Sequence, residues 1–118
     1  MDAYSREMAI TGGAPGLRDE GGLLSALGRA ESRIAYGDPA PDVFELAATL
    51  AFGIARNRPF VDGNKRMAFI TTFMTLRLNG VYLDASERDA VKAVLGLAEG
   101  VLDEAGFTNW LREGSYHL

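Results

Sequence analysis

The stretch Arg58-Pro59-Phe60-Val61-Asp62-Gly63-Asn64-Lys65-Arg66 separates two apolar segments, 43–57 and 67–79, that both have helical periodicity. Pro59 ends the first helix, because proline lacks a backbone donor and disfavours helical geometry in the residue before it. The second helix is predicted to begin near Asn64. The free N–H groups and the positive dipole end at a helix N-terminus form a ready anion site.

The side chains around this helix start suit a phosphate group. Gly63 lets the backbone approach a ligand closely, and Asn64, Lys65 and Arg66 surround the same place with donors and positive charge. Cations in a first turn oppose the helix dipole, which favours a bound anion, although a structural charge cluster is the alternative. The residues alone leave two roles open for Asp62. It would act as a ligand, holding a metal ion or orienting a nucleophile, or it would cap the helix.

The composition is that of one soluble globular domain, with 118 residues of which 47% are hydrophobic and 24% charged. The formal net charge of −4 argues against direct nucleic-acid binding, which usually needs a basic surface. Even so, four of the twelve basic residues fall within eleven positions, namely Arg56, Arg58, Lys65 and Arg66. A local cationic patch on an acidic protein indicates a small anionic ligand.

Several classes of site and location are excluded by what the sequence lacks. There is no cysteine, so disulfides and thiolate metal sites are ruled out. The single histidine, His117, lies next to the C-terminus, so we expect no histidine-based site within the folded body. Asp2, Arg6 and Glu7 interrupt any signal peptide, and no apolar run is long enough to span a membrane. We therefore expect a cytoplasmic protein.

The remaining pattern predicts an all-α protein of about five to six helices. A helix at 4–11 is short and precedes a glycine-rich loop. Asp19 is the predicted N-cap of the next helix. That helix carries apolar residues at helical spacing, which are Leu23, Leu24, Leu27, Ala30 and Ile34. The segment 42–57 is apolar on nearly every face, which indicates a buried central helix.

The C-terminal third of the chain predicts one extended piece and two helices. Val81-Tyr82-Leu83 has strand propensity, but one such run makes no sheet. Ser86-Glu87-Arg88-Asp89 resembles a capping box at the start of a helix. Thr108 is the predicted cap of a last short helix, and the segment 114–118 is expected to fray.

The stretch 58–66 resembles the Doc (death-on-curing) branch of the Fic/Doc proteins, whose pattern is His, any residue, Phe, any residue, Asp, small, Asn, Lys, Arg. The Fic branch has Gly-Asn-Gly-Arg where this chain has Gly63-Asn64-Lys65-Arg66, so the lysine favours Doc. The segments 12–19, 23–36, 44–48 and 78–80 are also similar to the family. The resemblance covers roughly the whole chain, as a single domain over 1–118 whose N-terminal helix is short for the family.

This resemblance implies a Fic/Doc-type helical bundle with a phosphate-binding loop at the N-terminus of a central helix. It implies a toxin of a bacterial toxin–antitoxin pair, which transfers the terminal phosphate of ATP to a threonine of elongation factor Tu and blocks translation. The implied partner is a Phd-like antitoxin with a disordered segment that folds on binding. Asp62 would then position Mg²⁺ or substrate, and Asn64, Lys65 and Arg66, together with Gly63, would hold the phosphates of ATP.

Arg58 stands where the family has its histidine, the general base on the target hydroxyl. A guanidinium stays protonated near neutral pH and cannot act as a base there. We therefore expect this chain to be inactive. The intact remainder of the motif favours a disabled form of an active kinase, and a binding module that holds an antitoxin or a nucleotide is the alternative. A Fic-type AMP transferase is a further alternative, which Lys65 disfavours.

Overall fold

The structure, a computed structural model, describes residues 16–118, which form five helices and one small sheet. The elements in chain order are α1 (Glu20–Tyr36), α2 (Val43–Asn57), α3 (Asn64–Leu78), β1 (Val81–Leu83), α4 (Glu87–Glu99), α5 (Glu104–Glu113) and β2 (Ser115–His117). The predicted all-α class is confirmed, and the predicted helix at 4–11 lies outside the described residues. Over 16–118, no helix is both long and apolar enough to cross a membrane.

Helix α2 is the centre of the bundle and packs against α1, α3, α4 and α5. Its buried positions are mostly small, namely Ala47, Ala48, Thr49, Ala51, Gly53, Ile54 and Ala55. Small side chains let four neighbouring helices approach its backbone, so the core forms around α2 rather than beside it. The prediction of a buried central helix is confirmed.

Four of the five described helices begin with a capping side chain. These N-caps are Asp19, Asp42, Ser86 and Asp103, and each accepts a hydrogen bond from a first-turn N–H group. Asp42 also completes a reciprocal capping box with Glu45. Burial raises the pKa of Asp42, but hydrogen bonds from Arg112 and from backbone N–H groups outweigh it and leave that pKa below its usual value. Helix α3 alone has no such cap.

Two predictions about the C-terminal third are wrong. Asp103, rather than Thr108, caps α5, and the Thr108 hydroxyl donates to the carbonyl of Glu104 inside the helix at 2.8 Å. The segment 114–118 does not fray, because β2 pairs antiparallel with β1 and places Tyr116 opposite Tyr82. The extended piece at 81–83 therefore does belong to a sheet, whose second strand follows α5.

Helix α1 buries only two of its five predicted apolar positions, Leu23 and Ala30, together with Ala26. The other three, Leu24, Leu27 and Ile34, are 58%, 39% and 59% exposed. The small residues face α2 because the two helices approach closely there, and the larger aliphatic residues form a stripe on the outside. We call Leu24, Leu27 and Ile34 the α1 stripe.

The close approach of α1 and α2 gives a stability prediction. A Cβ added at Gly53 would collide with the Cβ of Ala26 and lie 3.0 Å from its Cα, whereas one added at Gly28 meets nothing within 4 Å. Gly53→Ala should lower the free energy of unfolding by about 1–3 kcal/mol through overpacking. The matched control Gly28→Ala should raise it by about 0.5–1 kcal/mol through helix propensity. Urea unfolding followed by circular dichroism measures both, and equal shifts for the two variants would contradict this packing.

Candidate phosphate-binding site

The loop 58–63 joins the C-terminus of α2 to the N-terminus of α3, and the segment before α1 holds it in place. The N–H groups of Arg18 and Asp19 both donate to the carbonyl of Pro59, at 2.7 and 2.9 Å. The N–H group of Val61 donates to the carbonyl of Gly16 at 3.2 Å. These long-range backbone bonds give a surface loop a fixed shape, which a preorganised binding site requires.

Arg58 is the residue at which α2 ends, and its backbone is left-handed, with φ 50° and ψ 55°. Among the described residues it is the one non-glycine residue with positive φ, a conformation that costs a side-chain-bearing residue about 1–2 kcal/mol. Its N–H donates to the carbonyl of Ile54 at 3.0 Å. Its carbonyl accepts from the Arg18 guanidinium, from Nε at 3.1 Å and from Nη2 at 2.5 Å. These bonds offset the strain and fix the direction in which the chain leaves α2.

The side chain of Asn64 closes the loop. Its Oδ1 accepts from the N–H of Phe60 at 2.9 Å, and its Nδ2 donates to the carbonyl of Phe60 at 3.0 Å. Phe60 is only 2% exposed, so Asn64 pairs with both backbone polar groups of a buried residue. We call this pair of bonds the Asn64 clamp. It turns the carboxamide toward the loop, and the backbone N–H of Asn64 is what the residue presents at the helix start.

Helix α3 begins with Gly63 at its N-cap, in the left-handed conformation with φ 77° and ψ 19°. No side chain caps the helix, and its first turn contains no acidic residue. The Asp62 carboxylate accepts from the N–H of Gly63 at 2.8 Å, so the alternative that Asp62 caps α3 is wrong. The first-turn residues Asn64, Lys65 and Arg66 therefore combine uncapped N–H groups, the positive dipole end and two cations.

All six residues predicted for the site line one cleft of about 390 Å³. They are Arg58, Asp62, Gly63, Asn64, Lys65 and Arg66. The last turns of α4 contribute Leu95, Ala98 and Glu99 to the same cleft. Sequence reasoning missed these three, because the amphipathic pattern of α4 does not reveal which exposed residues face a loop some thirty positions earlier in the chain. The volume is within the range of about 300–1,000 Å³ that is usual for ligand pockets.

The cations of the cleft have no carboxylate partner among residues 16–118. The salt bridges of that range join α1, α2 and α5, and they use Arg29, Arg33, Arg112, Asp42, Glu45 and Glu104. Arg58, Lys65 and Arg66 take part in none of them. Their charges are therefore available to an anion, in a cleft whose electrostatics a ligand can neutralise.

The fold and the cleft define an all-α protein with an uncapped, cationic helix start that lines a cleft. The chain belongs to the Fic/DOC family, whose sequence profile matches residues 2–76. It is 35% identical over 101 residues to protein kinase doc of Escherichia phage P1, across 86% of this chain and 79% of that protein. It is 39% identical over 74 residues to toxin Doc of Mycolicibacterium smegmatis, across 63% of this chain and 57% of that protein. These relatives confirm the predicted Doc branch.

The Asn64 clamp gives a test of how the loop is built. Asn64→Asp keeps an acceptor for the N–H of Phe60 but sets a carboxylate oxygen against the Phe60 carbonyl. We expect it to lower the free energy of unfolding by about 1–3 kcal/mol, the usual effect of leaving a buried polar group unsatisfied. Thermal unfolding at neutral pH measures this. Asn109→Asp, at an exposed position of α5, adds the same charge and should change stability by less than about 0.5 kcal/mol; an equal loss at both positions would refute the clamp.

Proposed function

We propose that this chain is a Doc-type toxin of a bacterial toxin–antitoxin pair, which binds the phosphates of ATP at the start of α3 and has Arg58 where its reaction needs a base. One observation carries the proposal: the six residues predicted for the site line a single cleft at the start of α3. Among the helices of residues 16–118, α3 is the one that begins without a capping side chain. Two relatives, a protein kinase doc and a toxin Doc, support the same class.

Phosphate binding would use the backbone and the cations together. The uncapped N–H groups of the first turn would donate to phosphate oxygens, with Gly63 giving them close access. Lys65 and Arg66 would neutralise the remaining charge from the same turn. Phosphoryl transfer depends mainly on positioning and charge neutralisation, and a rigid cationic helix start supplies both.

Asp62 is the residue that would hold Mg²⁺. The described residues contain no group of three or more metal-ligating side chains. Mg²⁺ in phosphate sites is commonly bound by one or two carboxylates together with phosphate oxygens and water. A carboxylate at the edge of a phosphate cleft fits that chemistry, in which the ion would neutralise charge on the bound phosphates.

The proposed reaction is transfer of the terminal phosphate of ATP to a threonine of elongation factor Tu in the cytoplasm, which stops translation. Arg58 would leave the acceptor hydroxyl protonated, because a guanidinium is not a proton acceptor near neutral pH. Arg58 lines the cleft all the same and adds a third cation to it. The chain as it stands would therefore bind ATP without transferring phosphate at an appreciable rate.

Two alanine variants test the phosphate site. Lys65→Ala and Arg66→Ala should each weaken ATP binding by about 10-fold or more, in line with the loss of a charge-assisted hydrogen bond worth roughly 1.5–3 kcal/mol. Arg56→Ala is the matched control, because the Arg56 guanidinium lies over the Phe52 ring, 5.6 Å from its centroid, and outside the cleft. Isothermal titration calorimetry measures all three, and equal effects would contradict the assignment.

A label-transfer assay tests the reaction. Purified elongation factor Tu is incubated with the chain or with its Arg58→His variant, and with ATP labelled at the γ- or the α-phosphate. We expect γ-label transfer by Arg58→His and at least 100-fold less by the parent, since general bases contribute about 10²–10⁴-fold. Transfer of α-label would instead assign the chain to AMP transferases. No transfer by either form, with ATP still bound, would refute the kinase proposal for this target.

The second candidate is a binding module that holds an antitoxin or a nucleotide without catalysis. The α1 stripe favours it, since Leu24, Leu27 and Ile34 present exposed apolar side chains at helical spacing. An amphipathic helix, such as the segment of a Phd-like antitoxin that folds on binding, recognises a surface of this kind. Binding of a cognate antitoxin peptide together with absent transfer by Arg58→His would support this candidate over the kinase.

A further inference from the structure

Three consecutive carbonyl groups at the end of α2 accept hydrogen bonds from two residues of the segment before α1. The carbonyl of Asn57 accepts from Nη2 of Arg18 at 3.4 Å. The carbonyl of Arg58 accepts from Nε and Nη2 of the same guanidinium, at 3.1 and 2.5 Å. The carbonyl of Pro59 accepts from the N–H groups of Arg18 and Asp19. Because the last carbonyls of a helix have no partner within it, these bonds close the end of α2 from outside.

The start of α1 is bonded to the same place in the other direction. The side chain of Asn57 donates through Nδ2 to the carbonyl of Gly22 at 2.8 Å. Asp19 caps α1 by accepting from the N–H of Gly22 at 2.9 Å. Since Asp19 is fixed both by this cap and by its bond to Pro59, the neighbouring Arg18 is anchored through its backbone. Its guanidinium therefore reaches the end of α2 from a fixed position.

The bonds from Arg18 meet at a backbone conformation that is unfavourable by itself. Arg58 is left-handed, with φ 50° and ψ 55°, whereas a residue before a proline ordinarily adopts an extended backbone. Two donors of one planar guanidinium hold the Arg58 carbonyl in a more closely defined geometry than a single bond would. Without them, the backbone at 58 would relax toward the extended region. The rotation about φ and ψ would then turn the Arg58 side chain out of its present direction.

Among residues 16–118, those that line the phosphate cleft include Arg58 but not Arg18. Arg18 contacts instead the backbone of the residue whose side chain enters the cleft. We propose that Arg18 is a positioning residue, which fixes the left-handed backbone at position 58 and so directs the side chain at that position into the phosphate cleft. This inference rests on the proposed function. It extends the site to the segment before α1, outside the motif stretch 58–66.

A double-mutant cycle tests whether Arg18 acts through residue 58. Arg18→Gln removes the guanidinium, and Arg58→Gly removes the cleft cation while tolerating a left-handed backbone. Isothermal titration calorimetry measures ATP affinity for the parent, the two single variants and the double variant. We expect each single variant to weaken binding by at least about 5-fold, in line with the loss of one charge-assisted contact. The double variant should bind within about 2-fold of Arg58→Gly alone, because the two residues then act as one unit.

The matched control is Arg77→Gln, which removes one positive charge in the last turn of α3, at the opposite end from the cleft. Its ATP affinity should stay within about 2-fold of the parent, since exposed charges far from a ligand are screened by salt. A double variant that is weaker than Arg58→Gly by the full factor of Arg18→Gln would mean that Arg18 acts on the ligand or on the whole loop. That result would overturn the inference, as would an unchanged affinity for Arg18→Gln.

Backbone NMR gives a readout that needs no ligand. The Cα and Cβ carbon chemical shifts of residue 58 report its φ and ψ. We expect left-handed values in the parent and in Arg77→Gln, and a change toward extended values in Arg18→Gln. Left-handed values in Arg18→Gln would refute the inference whatever the affinities are. If the parent binds no ATP, the proposed phosphate site fails, and these shifts alone decide whether Arg18 fixes the backbone at 58.

Discussion

The Asn64 clamp sets the constraint on which the site depends. Burying Phe60 anchors the loop in the core, but it also removes the backbone polar groups of that residue from water. An unpaired buried N–H or carbonyl costs about 1–3 kcal/mol, and one carboxamide satisfies both groups at 2.9 and 3.0 Å. Because this side chain is used inward, it does not compete with a ligand for the first turn of α3. The Asn64 clamp therefore anchors the loop and also leaves the first turn of α3 without a side-chain cap.

The departures from ordinary helix chemistry are concentrated around this loop. The other four described helices begin with Asp or Ser caps, while α3 begins with a left-handed glycine and cations in place of an acidic residue. Arg58 adds a left-handed backbone. The missing cap and the first-turn cations are unfavourable for the isolated helix, and a bound anion would stabilise both. Within residues 16–118, α3 is the exception to ordinary helix capping, and a local exception of this kind is typical of a functional site.

The sequence predicts those features of the fold and the site that depend on residues close together in the chain. The starts of α1 to α4, the central burial of α2 and the grouping of 58–66 follow from periodicity, capping residues, proline and charge within short windows. The start of α5 is an exception, because the pattern predicts it at Thr108 and the helix begins at Glu104. The pairing of β1 with β2 does not, since Tyr116 finds its partner at Tyr82 across two intervening helices. The contribution of Glu99 to the cleft and the face that α1 buries are also tertiary. They depend on helix crossings, such as the close contact at Gly53, that amphipathic patterns do not specify.

Arg58 differs from a histidine at the same position in two properties, its ability to accept a proton and its permanent charge. It removes the proton acceptor, and it adds a permanent positive charge to a cleft that already holds Lys65 and Arg66. Catalysis requires stabilisation of the transition state beyond that of the bound substrate, and a fixed charge that holds ATP equally well before and during transfer lowers no barrier. The same charge would strengthen the binding of an anion in this cleft, on a protein whose net charge is −4. The loop geometry around Arg58 is thus compatible with an anion cleft that lacks a proton acceptor, and an imidazole at this one position is the change that would supply one.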